Sequence, residues 1–505
     1  MINLKKCLAA ISLLAGMQGY AASPEPKNKQ KKFVSHFENV LGTSMELKLS
    51  AATEKQADIA EQAALDEISR LNAILSTYDP NSEISRWKNT DHQAVKVSKE
   101  LFEVLSLFDS WRERTGGALT ASAETISKVW KQAAIAQKLP SATELANAVN
   151  TAQQQQWILN ADKQEAIHLS TAPLALNTFV KSYIINRAAN AAMAAGHLNS
   201  LVLNIGGDIV VKGDQTEPVL ISDPRADAEN DRAMAEISIG NKAVATSGNY
   251  RRGVQIGDQW YSHIVNPMTG QPAGDIISAT VVASNATDAG ALATAMSVLT
   301  PEQGKALAAG IPGTEYLLVT KEGEHIASSG WKDIERTDVN SHIAPFYAGW
   351  NSNYEVEINF EIALIAGTRV RRPFLAVWIE DADGKPVRNL NVWFNKDRWI
   401  PDLKQWYRHY AEAFKAPDGQ FKASVSSATR SPGKYTLKWD GKDDKGADTK
   451  PGKYTIVIEA VREHGTYQVM KQEIEIKKKP SQQSINLAGN VEISAASVEL
   501  RKRSN

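Results

Sequence analysis

The stretch YSHIVNPMTGQP, Tyr261 to Pro272, combines one histidine, an Asn-Pro turn and a Thr-Gly pair behind a short strand-like run. An imidazole can hold or move a proton near neutral pH. Asn, Pro, Thr and Gly bring hydroxyls and backbone N–H groups close together, and they also make an ordinary tight turn. Further turns share this character: LGTS (Leu41–Ser44), STYDPNSEISRW (Ser76–Trp87), TGGALTAS (Thr115–Ser122), NIGGD (Asn204–Asp208) and ATSGNYRR (Ala245–Arg252). A planar ligand carrying phosphates needs a surface of this kind, with small residues that let the backbone approach.

These turns must be held by regular elements, and the pattern supplies them. EKQADIAEQAALDEISRLNAIL carries apolar residues at helical spacing, and SKELFEVLSLFDSWRERTGG opens on a Ser cap and closes on glycines. SLVLNIGGDIVVKG reads as strand, Gly-Gly turn, strand, while DIISATVVASN reads as a strand feeding the Ala-rich helix DAGALATAMSVL. The expected fold over 33–337 is α+β with a mostly antiparallel sheet. After about Ser341 the texture changes to alternating strands, YEVEINFEIAL, RPFLAVWIED, YTLKWDG and YTIVIEAV, separated by DADGK, SPGK and KPGK turns. An Ig-like all-β sandwich is expected over 350–478, with one helical piece, DLKQWYRHYAEAF, and its tryptophans in the core. A basic polar tail, read as solvated, is expected over 479–505. The acidic loop WDGKDDKG lacks the ligand spacing of a calcium site and reads as a hairpin turn.

At 505 residues the chain should form two or three domains. Lys+Arg and Asp+Glu both number 57, so no global field favours nucleic acid or anionic lipid. Lys5 and Lys6, the apolar run CLAAISLLAGM and the small residues around Ala21 and Ala22 read as a signal peptide over 1–22. No later stretch approaches the ~20 apolar residues of a membrane span. Cys7 is the sole cysteine, which excludes thiol catalysis and disulfides in the processed chain. The expected compartment is the periplasm.

The order and spacing of the turns resemble the FAD:protein FMN transferase family, the ApbE-like flavin transferases. TSGNYRR followed by HIVNPMTGQP is close to the family's T-S-G-x-Y and H-I-x-[DN]-P-x-T-G-x-P, STYDPNSEISRW to its S-x-Y-x-x-x-S-E, and NIGGD to its glycine hairpin. The sandwich is similar to a module fused to some of these transferases. The resemblance implies that FMN is moved from FAD, with AMP released, onto a Thr or Ser of an exported acceptor protein. It implies flavin contacts from Tyr78, from Gly117, Ala118 and Leu119, from Thr246, Ser247 and Gly248, and from His263, Val265 and Thr269. Lys181 and His263 are the expected catalytic groups, with magnesium as the cofactor.

The departures fall on the metal site. ALNTFVKSYIIN (Ala175–Asn186) keeps Thr178 and Lys181 of the family's helix motif, but Ala175 replaces its leading carboxylate and Ser182 its glycine. GALAT (Gly290–Thr294) keeps Thr294 and replaces the metal-binding aspartate with Gly290. Thr178, Asp288 and Thr294 are the remaining candidate ligands, Asp288 being equally suited to cap its helix. Lys181 is either a solvated helix lysine or a cation near the pyrophosphate. An FAD-binding relative without transfer activity is the alternative function. SVSSATRSPG resembles the family's acceptor pattern at Thr429, or is a polar loop.

Overall fold

The computed structural model describes residues 30–505 apart from 91, 232, 250–251, 337–352, 366–371, 395–396, 417–425, 428–429, 431, 463–464, 478–479 and 504–505. Thr429 and the proposed signal peptide therefore lie outside the described residues.

The first domain is built on one antiparallel sheet whose strands β1 (Lys31–Val40), β2 (Thr43–Ala51), β3 (Ser200–Ile205), β4 (Asp208–Gly213), β5 (Ala243–Gly248), β6 (Ile276–Ala283), β7 (Glu315–Thr320) and β8 (His325–Ala327) lie side by side in chain order. Alternation decides what covers each face. Leu201, Leu203 and Ile205 of β3 face a core with Met45, Leu47 and Leu49 of β2 and with the helices α1 (Glu54–Leu75), α2 (Lys99–Arg114), α3 (Val180–Gly196) and α4 (Ala286–Met296). Val202, Val211 and Val244 point the other way, onto the hairpin of Glu217–Ile221 and Ala235–Ile239. The sheet is thus covered on both sides, and its strand-end turns are left at the rim.

Local sequence explains the elements. Thr53 and Gln56 form a capping box at the start of α1, and the Ser98 side chain caps α2 through Leu101 N–H. In the β3–β4 turn Gly206 and Gly207 have φ of 59° and 91°, and a Cβ on Gly206 would strike the Thr43 side chain at 2.6 Å. Glycine there serves both the turn and the approach of two loops.

The second domain packs two sheets face to face. Phe360, Val356 and Ile358 from one meet Leu375, Val377 and Ile379 from the other. The helix α5 (Lys404–Lys415) closes the outer face of the five-stranded sheet with Trp406, Tyr410 and Phe414. Trp378, Trp393, Trp406 and Trp439 are fully buried. The WDGKDDKG loop is a turn in which Gly446 N–H donates to Asp443 O and Trp439 Nε1 to Lys442 O.

One expectation is corrected. The segment read as a solvated tail contains two strands, Gln483–Leu487 and Ile493–Lys502, and the latter pairs with Tyr354–Ile362 on one side and Gln483–Leu487 on the other. Ile493, Ala496, Val498 and Leu500 point into the core, while Ser497, Glu499 and Arg501 alternate with them on the other face. The basic clusters 477–479 and 501–503, at the two ends of the segment, obscured a half-buried alternation between them.

The two domains touch. The loop before the Ala235–Ile239 strand docks on the edge strand Gly433–Trp439: Glu229 N–H donates to Thr436 O, and the Asn230 amide exchanges hydrogen bonds with the Lys438 backbone at 2.8 Å each way. Lys438 pairs with Asp227 and Asp231, and Arg372 pairs with Glu38 of β1 at 2.9 Å. Among the described residues no helix is long and apolar enough to cross a membrane.

Candidate functional site

The strand-end turns meet at one rim and enclose a cleft. A cavity of about 290 Å³ is bounded by Ala118 and Leu119, by Thr178, Lys181 and Ser182 at the start of α3, by Thr246 and Ser247, and by Gly290 and Thr294 of α4. It adjoins a second cavity of about 610 Å³, with which it shares Asn177 and Lys181.

Each wall has a local cause. In the 115–122 turn the Thr115 hydroxyl donates to Trp111 O at 2.6 Å and accepts from Leu119 N–H, folding Ala118 and Leu119 toward the cavity. Gly117 sits behind them at φ 89°, where a Cβ would meet the Met268 sulfur and the Gln153 amide at 2.9 Å. This glycine lets the turn approach the 263–272 loop. Thr246 shares a hydroxyl contact with Thr280 at 2.9 Å, so the end of β5 is fixed against β6.

The 263–272 loop is a braced turn as well as a wall. Gly270 N–H donates to Asn266 O, Met268 N–H to the Asn266 side chain, and Trp130 Nε1 to Gly270 O at 2.8 Å. Trp130 also stacks on Tyr261. His263 and Val265 line the cleft, whereas Thr269 braces the turn through Gln271 N–H and Gly248 ends β5, paired with Ser278; neither lines the described cavities. His263 Nδ1 lies 3.0 Å from Arg252 O. A carbonyl only accepts, so Nδ1 carries the hydrogen and Nε2 is left as an acceptor. Partial desolvation by the cleft walls lowers the pKa of the solvent-reaching His263 below its ordinary value, the Arg252 and Lys131 charges acting in the same direction and the Arg252 carbonyl against it. The imidazole is neutral at neutral pH.

Tyr78 stands at the mouth, 81% exposed, with its hydroxyl accepting from Asn177 Nδ2 at 2.7 Å. An exposed, tethered ring of this kind is a ready stacking platform.

The residue missing from the sequence reading is Asp208. It is the first residue of β4, buried, and lines the cleft. Its Oδ2 accepts from Ser182 Oγ at 2.8 Å and lies 3.2 Å from Lys181 Nζ. The NIGGD motif contained it; only its position beside α3 marks it as a site residue.

Of the candidate metal ligands, Thr178 and Thr294 are brought together in the cleft and Asp288 is not. Thr294 Oγ1 lies 3.2 Å from Thr178 O and 3.1 Å from Gly290 O, so those two threonines are neighbours. Asp288 is elsewhere. Asn285 caps α4, and Asp288, in its first turn, accepts from the Asn285 amide at 2.7 Å and does not line the cavity. The cap reading of Asp288 is therefore displaced by three residues. Magnesium demands an octahedral set of oxygen donors, anionic ones foremost. Among the described residues no three His, Cys, Asp or Glu side chains form a group able to hold a metal. Beside its neutral threonine oxygens the cleft offers magnesium the Asp208 carboxylate, already paired with Lys181, and this donor set fits magnesium poorly.

A model of the ApbE family matches residues 41–318, and a model described as a predicted periplasmic protein (DUF2271) matches residues 355–495. The FAD:protein FMN transferase of Haemophilus influenzae is 25% identical over 359 residues, covering 66% of this chain and 99% of that protein. The FAD:protein FMN transferase of Vibrio cholerae is 28% identical over 321 residues, covering 61% of this chain and 91% of that protein. The crystal structure of the ApbE protein from Thermotoga maritima superposes with a TM-score of 0.54 at 25% identity, covering 61% of this chain and 100% of that one.

Proposed function

The chain belongs to the ApbE family, and on that premise we propose that it is an exported FAD:protein FMN transferase. The acceptor hydroxyl of a Thr or Ser on a second exported protein forms a bond to the FMN phosphorus. The pyrophosphate P–O bond to AMP breaks, AMP departs with the bonding pair, and the hydroxyl proton passes to His263 Nε2. The observation that supports this most is the meeting, in one cleft, of a neutral imidazole with a free acceptor nitrogen and the Lys181 ammonium, with the exposed Tyr78 ring at the mouth. The flavin ring would stack at Tyr78, and the phosphates would lie between the Thr246–Ser247 strand end and the start of α3, where backbone N–H groups and Lys181 favour anions.

Gly290 and Ala175, which stand where the family resemblance implies carboxylates, favour a second reading, an FAD-binding relative without transfer. One experiment separates the two. Purified protein is incubated with FAD and an extract of exported proteins. AMP release together with covalent flavin fluorescence on an acceptor band supports transfer; saturable FAD binding without either product supports the second reading. The DUF2271 match supports a periplasmic location for the sandwich.

A further inference from the structure

We infer that this cleft recognises the diphosphate of FAD without a divalent cation, its positive charge being the Lys181 ammonium held on Asp208. The inference rests on the flavin reading of the cleft.

Three observations carry it. First, the carboxylate nearest the start of α3 is already occupied. Asp208 Oδ2 accepts from Ser182 and faces Lys181 Nζ at 3.2 Å, and Lys181 also reaches Gly206 O at 3.4 Å. A dication binding Asp208 Oδ2 would have to displace an ammonium, and the remaining donors, the Thr178 carbonyl and the Thr294 hydroxyl, are neutral. Second, the space is filled. A Cβ on Gly290 would overlap the Ser182 hydroxyl and stand 2.9 Å from Ser182 Cβ. A carboxylate side chain at 290 would require Ser182 and its helix to shift. Third, Lys181 is placed for a ligand as well as for its partner. Its side chain is one-third exposed and borders both adjoining cavities, so the ammonium can face a phosphate while Asp208 holds it. An ammonium is a compact point charge that neutralises phosphate oxygens without a fixed coordination geometry. Asp208 is a positioning residue: it acts on the phosphate through Lys181.

The test is FAD titration of the full-length processed protein, followed by flavin fluorescence, in EDTA and in millimolar magnesium chloride. The expected result is the same Kd, within about two-fold, in both buffers. Lys181→Met should weaken binding at least ten-fold in EDTA, with an unchanged melting temperature showing that the variant is folded. Calorimetric titration of the protein with magnesium chloride alone should show no saturable heat. Tight FAD binding only in magnesium would overturn the inference and leave the flavin cleft standing. Absence of FAD binding in both buffers would overturn the cleft assignment as well. Wild-type affinity in Lys181→Met would also overturn the inference.

Discussion

Ser182 of α3 and Gly290 of α4 occupy each other's space: the serine hydroxyl lies where a side chain at 290 would begin. On the sequence alone, Gly290 is a lost aspartate that a single substitution would restore. In the folded chain it is one half of a packed pair, since Ser182 also donates to the buried Asp208.

Gly290→Ala should therefore destabilise the protein by about 1–3 kcal/mol, the usual cost of overpacking, although Ala for Gly in an unhindered helix interior would stabilise it. Adding Ser182→Gly should recover part of the loss. Urea unfolding of the four members of this cycle measures the coupling, expected to exceed ~0.5 kcal/mol; simple additivity would mean that the two sites do not touch.

Tyr78→Ala removes a side chain that is 81% exposed, so the melting temperature should be unchanged. FAD affinity should fall about ten-fold, equivalent to ~1.4 kcal/mol of lost stacking. Equal titration curves for wild type and variant would remove Tyr78 from the flavin site.

His263 makes transfer pH-dependent with a defined sign. Partial desolvation, the largest influence, lowers its pKa below 6.5, so the base is competent at neutral pH and is lost only when acid protonates it. The acidic limb of kcat/KM should have its midpoint below the ordinary histidine value. His263→Ala should abolish that limb and slow transfer by ~10²–10⁴-fold, with FAD still bound. A limb that persists in His263→Ala would assign it to another group.

Leu500→Ala tests the C-terminal strand. A solvated tail would not respond, whereas a fully buried leucine between two paired strands should cost about 2–5 kcal/mol of sandwich stability, read by denaturant unfolding.

Asn230→Ala removes two hydrogen bonds to the Lys438 backbone across the domain contact. At ~0.5–1.5 kcal/mol each, their loss should separate the unfolding of the two domains without changing FAD affinity. Limited proteolysis between the domains should accelerate; an unchanged cleavage rate would mean that this contact does not hold them.

What the sequence determined by itself is local. Turn residues, caps and alternation depend on neighbours within a few positions, so the helix over 54–75, the Ser98 cap, the β3–β4 hairpin and the strand feeding α4 were all legible. The set of turns that face the cleft was legible too, because such turns have a distinctive composition and order. The strand over 493–502 was hidden because its outward residues are mostly small or polar, Ser494, Ala495, Ser497 and Glu499, and basic clusters stand at both ends of the segment. Tertiary structure decided everything that depends on distant neighbours. Asp208 becomes a cleft residue because β4 brings it beside Ser182, 26 positions earlier, and Tyr78 is tethered by Asn177, 99 positions later. Asp288 leaves the site because Asn285 starts α4 and takes its carboxylate. The charge at the phosphate end of the cleft is set by which side chains share one small volume, and a one-dimensional pattern carries no distances between them.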